Sequence, residues 1–287
     1  MPELPEVETV VRGLSKHIIG QKIIDIEQKH KKSLLLDKNI TSAQIKGLKV
    51  LEIKRRGKGI IINLTKNLSL LIHLKMTGQL IYISNKSRLH FCHPTDDFTN
   101  SMPSKHTRVI IKFFKGILYF NDQRLFGWVK ILPTQNLTEN SFLKSLGPEP
   151  LDKSFTTDVL WQIIKRKPKS TIKAIILDQS NLVGIGNIYA DETLFEAGIR
   201  PDRKASSIKK VEAEKLVKAI KKVLKKGIKY SGTSIINYKT PEGSPGRMQN
   251  YLKVYSQDKK LCQKCKTPIK KIRTASRGTH YCPTCQK

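Results

Sequence analysis

The sequence predicts an α+β chain of more than one domain, and three observations carry that reading. Short β-rich apolar runs follow one another from Lys22 to about Leu132, apolar residues then recur at helical spacing, and four of the five cysteines crowd into the last 26 residues. Several short strands at close intervals imply a sandwich or a barrel. With 287 residues there is room for two domains of roughly 100–200 residues each. The expected order is an N-terminal β domain, sandwich or barrel, over 1–134 led by a helix, a linker over 135–152, a helical domain over 153–250, and a metal-clipped hairpin over 251–287.

The first element is a helix from Pro5 to about Ser15, because Val7, Val10, Val11 and Leu14 share one face and Pro5 falls where a first-turn proline is tolerated. Strands follow at Ile60–Leu64, Leu68–Leu74, Val109–Phe114 and Ile117–Phe120, with Lys115–Gly116 marking a tight hairpin between the last two. The tract Asn85–Ser104 has little pattern and reads as an exposed excursion. Between Pro133 and about Asp152 the run Gly147-Pro148-Glu149-Pro150 and the lack of periodicity mark the linker. Helical stripes then appear at Val159, Leu160, Ile163 and Ile164, and at Val211, Leu216, Ile220, Val223, Leu224 and Ile228. The Gly/Ser/Thr/Pro-rich stretch from Gly227 to Gly246 reads as a mobile loop.

Charge narrows the function. Lys+Arg 54 against Asp+Glu 23 leaves +31, an excess that opposes compaction and favours a polyanionic partner through counterion release from phosphates. A lysine-biased proteome would give part of the same excess. No apolar run approaches the ~18–20 residues of a membrane span, and no signal-peptide core leads the chain. The expectation is an intracellular, cytoplasmic protein that binds nucleic acid and not membrane.

Cys262-x2-Cys265 and Cys282-x2-Cys285, sixteen residues apart, have the two-knuckle spacing that holds Zn²⁺ tetrahedrally. Four thiolates leave no coordination position for water, so one structural ion is expected. Lys264, Lys266, Lys270, Lys271, Arg273 and Arg277 surround the thiols, and no carboxylate follows Lys259, a composition suited to a phosphate backbone. Cys92 stands outside this pattern as an unligated thiol. In Gly184-Ile185-Gly186-Asn187, two glycines allow close backbone approach, and Asn187 is placed to cap the helix that follows, where an anion is attracted. An ordinary turn with a capping Asn would have the same sequence.

The start Met1-Pro2-Glu3-Leu4-Pro5-Glu6 is a helix start with prolines and carboxylates where the helix dipole wants them, but that does not require Pro2. Proline in second position permits removal of Met1, exposing a secondary amine of reference pKa roughly 7.7–8. Such an amine can attack a sugar C1′, and its iminium, having no proton to lose, persists as an electron sink. Glu3 beside it can move protons.

Together these segments resemble the formamidopyrimidine-DNA glycosylase family. The match runs from Met1-Pro-Glu-Leu-Pro-Glu-Val-Glu-Thr9 through Arg55-Arg-Gly-Lys58, His73-Leu-Lys-Met-Thr-Gly78, Asn121-Asp-Gln-Arg-Leu-Phe-Gly127, Leu146-Gly-Pro-Glu-Pro150, Leu177-Asp-Gln179 and Gly184-Ile-Gly-Asn-Ile-Tyr-Ala190 to Cys282-Pro-Thr-Cys-Gln-Lys287. The resemblance implies a β-sandwich with an N-terminal helix, a helix–two-turns–helix domain and a C-terminal zinc-finger hairpin, with double-stranded DNA bound in the cleft between domains. It implies a monomeric, nucleoid-associated bacterial repair enzyme that excises 8-oxoguanine and ring-opened purines and then cleaves the abasic strand by β,δ-elimination.

By the family's pattern Pro2 is the nucleophile, Glu3 the proton donor and acceptor, Glu6 an orienting group, and Lys58 the basic residue near the lesion. His73, Asn187 and Arg277 match phosphate contacts. Met76, Arg124 and Phe126 match the side chains that fill the gap left by the flipped base; apart from the resemblance, core packing is the favoured reading of the apolar two. The stretch 231–249 resembles the loop over the everted base, with Thr233, Ser234 and Tyr238 as its candidate contacts. Leu125 stands where many relatives are basic, Arg108 where His is frequent, and Thr77 where an acid is frequent. Leu4 argues against the sister branch, endonuclease VIII-like, which typically begins Pro-Glu-Gly-Pro-Glu. A non-catalytic nucleic-acid-binding zinc protein would share the charge and the thiols.

Overall fold

Helix α1 (Leu4–Ile18) begins with Glu3 at its N-cap and Pro5 in its first turn, and it buries Val7, Val10, Val11, Leu14 and Ile18 on one face. It runs one turn beyond the predicted stretch, because Ile18 continues the apolar face. The computed structural model describes residues 1–85, 87–91, 101–233 and 246–287.

That apolar face enters a core shared by two five-stranded sheets. Strands β1 (Ile23–Gln28), β8 (Thr107–Phe113), β9 (Gly116–Asp122), β6 (Gly78–Ser84) and β7 (Ser87–Phe91) form one sheet in that order. Strands β2 (Leu34–Leu36), β10 (Trp128–Pro133), β5 (Leu68–His73), β4 (Gly59–Leu64) and β3 (Val50–Arg56) form the other. All pairings are antiparallel except β2 with β10. The expected strands therefore become β4, β5, β8 and β9. The hairpin predicted at Lys115–Gly116 turns at Phe114–Lys115, with Gly116 opening β9 opposite Phe113.

Continuous apolar runs, not alternating ones, announced these strands, and the packing supplies the reason. Outside the common core, Ile61, Leu71 and Leu132 on the second sheet lie under Trp128, Leu137, Phe142 and Leu143. On the first, Ile81, Ile110 and Tyr119 pack with Met102. Both faces of the central strands are covered, so neither needs polar residues. Helix α2 (Ser141–Lys144) brings Phe142 to this cover, so the stretch read as a featureless linker contributes packing. Part of the expected excursion is likewise corrected: β7 is an edge strand that buries Leu89 and Phe91 in the core. Cys92 lies outside the described residues.

The chain divides into two units, one of Met1–Lys144 with Tyr230–Gln249 and the other of Ser145–Lys229 with Asn250–Lys287. Of the stretch 231–249, expected with the helical domain, the described residues 231–233 and 246–249 fall in the first unit. The second unit contains α3 (Thr157–Arg166), α4 (Ile172–Leu177), α5 (Asn187–Ala197), α6 (Lys210–Lys229) and the hairpin β11 (Lys270–Thr274)–β12 (Arg277–Tyr281). Thr156 and Thr171 cap α3 and α4 through their hydroxyls. Two details of the second stripe are corrected. Val211 is exposed, and α6 continues through Gly227 to Lys229, because its buried face repeats Leu216, Ile220, Val223, Leu224 and Gly227. Among the described residues no helix is long and apolar enough to cross a membrane.

Candidate active site and nucleic-acid interface

In the first unit the chain start is fixed by a carboxylate. Pro2, Glu3 and Glu6 are all buried. Glu6 Oε2 accepts the Glu3 backbone N–H at 2.9 Å, and Glu6 Oε1 accepts the Thr233 N–H at 2.9 Å. The Thr233 hydroxyl lies 3.4 Å from the same oxygen. One side chain therefore ties the segment carrying Pro2 to the beginning of the 231–249 stretch. Gly232 makes that approach possible: its φ is +79°, and a Cβ there would sit 2.6 Å from Glu6 Oε1. Ser234 and Tyr238 lie outside the described residues.

Lys58 occupies the two-residue turn between β3 and β4 and is buried. Arg55 braces that turn, its Nη1 donating to the Gly57 carbonyl at 3.0 Å while its Nε donates to Glu8 on α1 at 3.1 Å. Arg55 lay in a matched run but carried no assigned role; only the fold shows that it joins the turn to the helix.

His73 ends β5 and pairs with Gly59, next to Lys58. Its Nδ1 accepts the Lys75 N–H at 2.9 Å, so the neutral ring carries its proton on Nε2. Burial, reinforced by the charges of Lys75 and Lys58, pushes its pKa down to about 3. The ring packs edge-on against Phe142 at 5.1 Å between centroids. It is thus a neutral hydrogen-bond donor throughout the physiological range.

Met76 projects from the turn between β5 and β6, and Arg124 and Phe126 from the loop between β9 and β10. Core packing is excluded for the apolar pair: Met76 is 41% exposed and Phe126 52%. The Arg124 guanidinium lies over the Phe126 ring, 4.8 Å from its centroid.

In the second unit Asn187 is not the cap that its sequence position suggested. Gly186 occupies the N-cap, and Asn187 is the first residue of α5. Its side chain instead crosses to the hairpin, where Nδ2 donates to the Gly278 carbonyl at 2.9 Å. Asn187 Oδ1 is buried without a hydrogen-bond partner among the described residues. Gln179 shapes the preceding loop, donating to the Leu177 and Ile185 carbonyls at 2.9 and 2.8 Å and accepting the Gly184 N–H at 2.9 Å. Asn187 and Arg277 are therefore brought together, since Arg277 directly precedes Gly278 at the start of β12. The turn before it, Ala275–Ser276, has both residues at positive φ, the geometry of a type I′ hairpin built without glycine.

Beneath this pair lies a network that the sequence did not reveal. Lys173 and Asp191, both 0% exposed, form an ion pair at 2.6 Å. Lys173 Nζ also donates to the Thr279 hydroxyl at 2.8 Å, and Asp191 Oδ2 accepts the His280 N–H at 2.8 Å. Thus α4, α5 and β12 meet at one buried charge pair. The stem of the hairpin is held similarly: Glu192 accepts the N–H groups of Lys253, Val254 and Tyr255 at 2.8–3.0 Å. Burial pushes the Glu192 carboxyl up against the opposing pull of those three donors.

The four sulfurs of Cys262, Cys265, Cys282 and Cys285 lie within 4.8 Å of one another. The Cys262–Cys285 and Cys265–Cys282 separations are 3.9 and 3.4 Å. A tetrahedron of Zn–S bonds of about 2.3 Å has an edge of about 3.8 Å, so these residues fit zinc. Burial pushes the Cys282 and Cys285 thiols up, while hydrogen bonds from Thr267 hold Cys265 down to about 6; a bound cation favours the thiolate at all of them. Cys262 and Cys282 pack with Phe195, Val254 and Ile269, so one structural zinc ion secures the hairpin to α5 and supplies folding energy, not reaction chemistry. Lys264, Lys266, Lys270, Lys271, Arg273 and Arg277 are all exposed around it.

The chain matches the formamidopyrimidine-DNA glycosylase N-terminal domain over residues 1–129, the formamidopyrimidine-DNA glycosylase H2TH domain over 146–239, and the zinc finger found in FPG and IleRS over 259–287. It is 39% identical over 287 residues to a formamidopyrimidine-DNA glycosylase of Desulfitobacterium hafniense, with 100% of each chain covered. With that of Carboxydothermus hydrogenoformans the identity is 40% over 291 residues, again with 100% of each covered. Among solved structures, a Lactococcus lactis FPG mutant in complex with a Fapy-dG containing DNA has a TM-score of 0.86 at 35% identity, covering 100% of both chains. Domain order, end-to-end identity and backbone agree, and the chain belongs to the formamidopyrimidine-DNA glycosylase family.

Proposed function

We propose that the protein is a bifunctional base-excision repair enzyme. It removes 8-oxoguanine and formamidopyrimidines from double-stranded DNA and cleaves the resulting abasic strand. The observation that carries the reading is Pro2 directly behind Met1, at a chain start held in place by Glu6. A relative from Lactococcus lactis was solved on Fapy-dG containing DNA, which supports the purine class.

Removal of Met1 turns the Pro2 nitrogen into a secondary amine. That nitrogen attacks the deoxyribose C1′, the glycosidic bond breaks, and the base leaves with the bonding electrons and takes up a proton. Glu3 supplies a proton to the ring oxygen as the sugar opens and accepts protons later. The iminium has no N–H to lose and stays cationic. Loss of a C2′ proton then expels the 3′ phosphate, and a second elimination expels the 5′ phosphate.

Lys58 contacts phosphate and assists elimination, while neutral His73, Asn187 and Arg277 bind backbone phosphates. Met76, Arg124 and Phe126 occupy the space vacated by the extruded base. Thr233, Ser234 and Tyr238 belong to the loop that reads it. The enzyme acts as a monomer in the cytoplasm, on the nucleoid.

Borohydride tests this reading, because it reduces the iminium to a stable amine. The mature protein should trap covalently on an 8-oxoguanine duplex, and a chain that keeps Met1 should not. Equal trapping by both overturns the assignment to Pro2. Binding without trapping or cleavage leaves only a nucleic-acid-binding zinc protein.

A further inference from the structure

Asp122 closes β9 and is fully buried directly under the loop that carries Arg124 and Phe126. Its Oδ2 accepts the Gly127 N–H at 2.6 Å, and its Oδ1 accepts the Arg124 N–H at 3.2 Å. The same Oδ1 receives the Thr77 hydroxyl, which comes from the neighbouring turn. Thr77 Oγ1 in turn accepts the Arg124 N–H at 3.2 Å. The strand end beneath is fixed as well, since Arg108 Nε donates to the Asp122 carbonyl at 2.8 Å and the Asp122 N–H donates to His106 at 2.9 Å.

The loop above this carboxylate is not a relaxed one. Leu125 takes φ +58°, a conformation that a branched apolar residue rarely adopts unless its neighbours enforce it. Gly127 leaves no alternative on the other side: a Cβ there would meet the Phe120 ring at 2.7 Å and Asp122 Oδ2 at 3.1 Å. Met76, one residue before Thr77, and Arg124 and Phe126 therefore stand on two separate turns joined through one hydroxyl and one carboxylate. Serine or threonine alone among small side chains can donate to Asp122 and accept from Arg124 with the same atom.

We infer that Thr77 and Asp122 clamp the two turns into a single preorganised wedge, with Thr77 the positioning residue that sets how efficiently a base is extruded from paired duplex. This rests on the repair function proposed above. A wedge whose parts must be ordered during insertion pays that entropy at the moment of extrusion; one already ordered does not. The clamp matters only where a base must be evicted. It has no task on a strand whose abasic site already exists.

Full-length mature protein carrying Thr77→Val should excise 8-oxoguanine from paired duplex about tenfold more slowly in single turnover, the scale of one lost hydrogen bond. Its cleavage of a preformed abasic duplex should stay within about twofold of wild type. Thr77→Ser should restore excision. Thr77→Ala removes the hydroxyl without placing a new methyl against Asp122 and gives the same readout should the valine variant not fold. Excision at the wild-type rate, an equal fall in both activities, or failure of serine to rescue overturns the clamp. Failure of the repair reading is separately visible, because wild-type protein would then cleave neither duplex.

Discussion

Two buried cations-to-be show opposite solutions to one problem. In the second unit Lys173 has no access to water and is matched by Asp191, with the Thr279 hydroxyl on the ammonium and the His280 N–H on the carboxylate. In the first unit His73 is almost as buried, yet the charges acting on it are those of Lys75 and Lys58. Lysine cannot easily discard its proton, so the fold supplies a carboxylate; histidine can, so it stays neutral and is oriented by a backbone N–H. A charge kept by pairing depends on its partner, whereas a charge given up depends on pH. The two units should therefore fail under different insults.

The largest effect is expected where the pairing is broken. Asp191→Asn removes the carboxylate 2.6 Å from the buried Lys173 ammonium, a loss of about 3–5 kcal/mol by the usual cost of breaking a buried pair. Replacing both, as in Lys173→Met with Asp191→Leu, should recover much of that, since the expensive species is the lone charge. Urea denaturation of the three proteins checks the ordering. If the double variant is as unstable as the single one, hydrogen bonds to Thr279 and His280 carry the stability and not the charge pair.

This network also marks where sequence reading stops. Four cysteines at fixed spacing name their ligand, and apolar runs name their strands, because both signals are local. Lys173 is one of 54 basic residues, and its partners Asp191 and Thr279 lie 18 and 106 positions away. Nothing in a lysine-rich chain distinguishes it from a surface residue. Asn187 misled for a related reason: its type suits a helix cap, but Gly186 takes that place because the side chain is committed to Gly278, 91 positions on. Met76 and Phe126 were ambiguous because an apolar residue in a strand-rich region has the same appearance in a core and on a wedge. The motifs located the site; long-range polar contacts, invisible in sequence, hold it.

The intermediate effect sharpens the other half of the comparison. Between pH 6.5 and about 3 the unfolded chain protonates His73 and the folded chain does not, so this residue's contribution to stability is lost as pH falls through that window. From pH 6.5 to 5 the loss is about 2 kcal/mol, at about 1.4 kcal/mol per unit. His73→Asn can still accept the Lys75 N–H but cannot titrate. The stability difference between the two proteins should shift by that amount in the variant's favour on going from pH 7 to pH 5. Parallel stability curves would mean that His73 is protonated in the folded protein.

The smallest stability effect should accompany a large functional one. Met76 and Phe126 are 41% and 52% exposed and contribute little to the core, so alanine at either should change unfolding free energy by no more than about 0.5 kcal/mol. Exposed apolar side chains on preformed turns are costly to keep unless something covers them, and the role proposed for them is insertion between bases, where they offset the unstacking of an extruded nucleotide. Phe126→Ala should therefore leave thermal unfolding unchanged while slowing 8-oxoguanine excision from paired duplex by at least about tenfold, and lesions already unpaired should be affected least. A Phe126→Ala protein that unfolds early would return the ring to the core. One that is stable and fully active would remove it from the wedge. A stable protein with slowed excision would separate the exposed turns of the first unit from the buried pair of the second by what each is built to resist: an incoming duplex in one case, the loss of a counter-charge in the other.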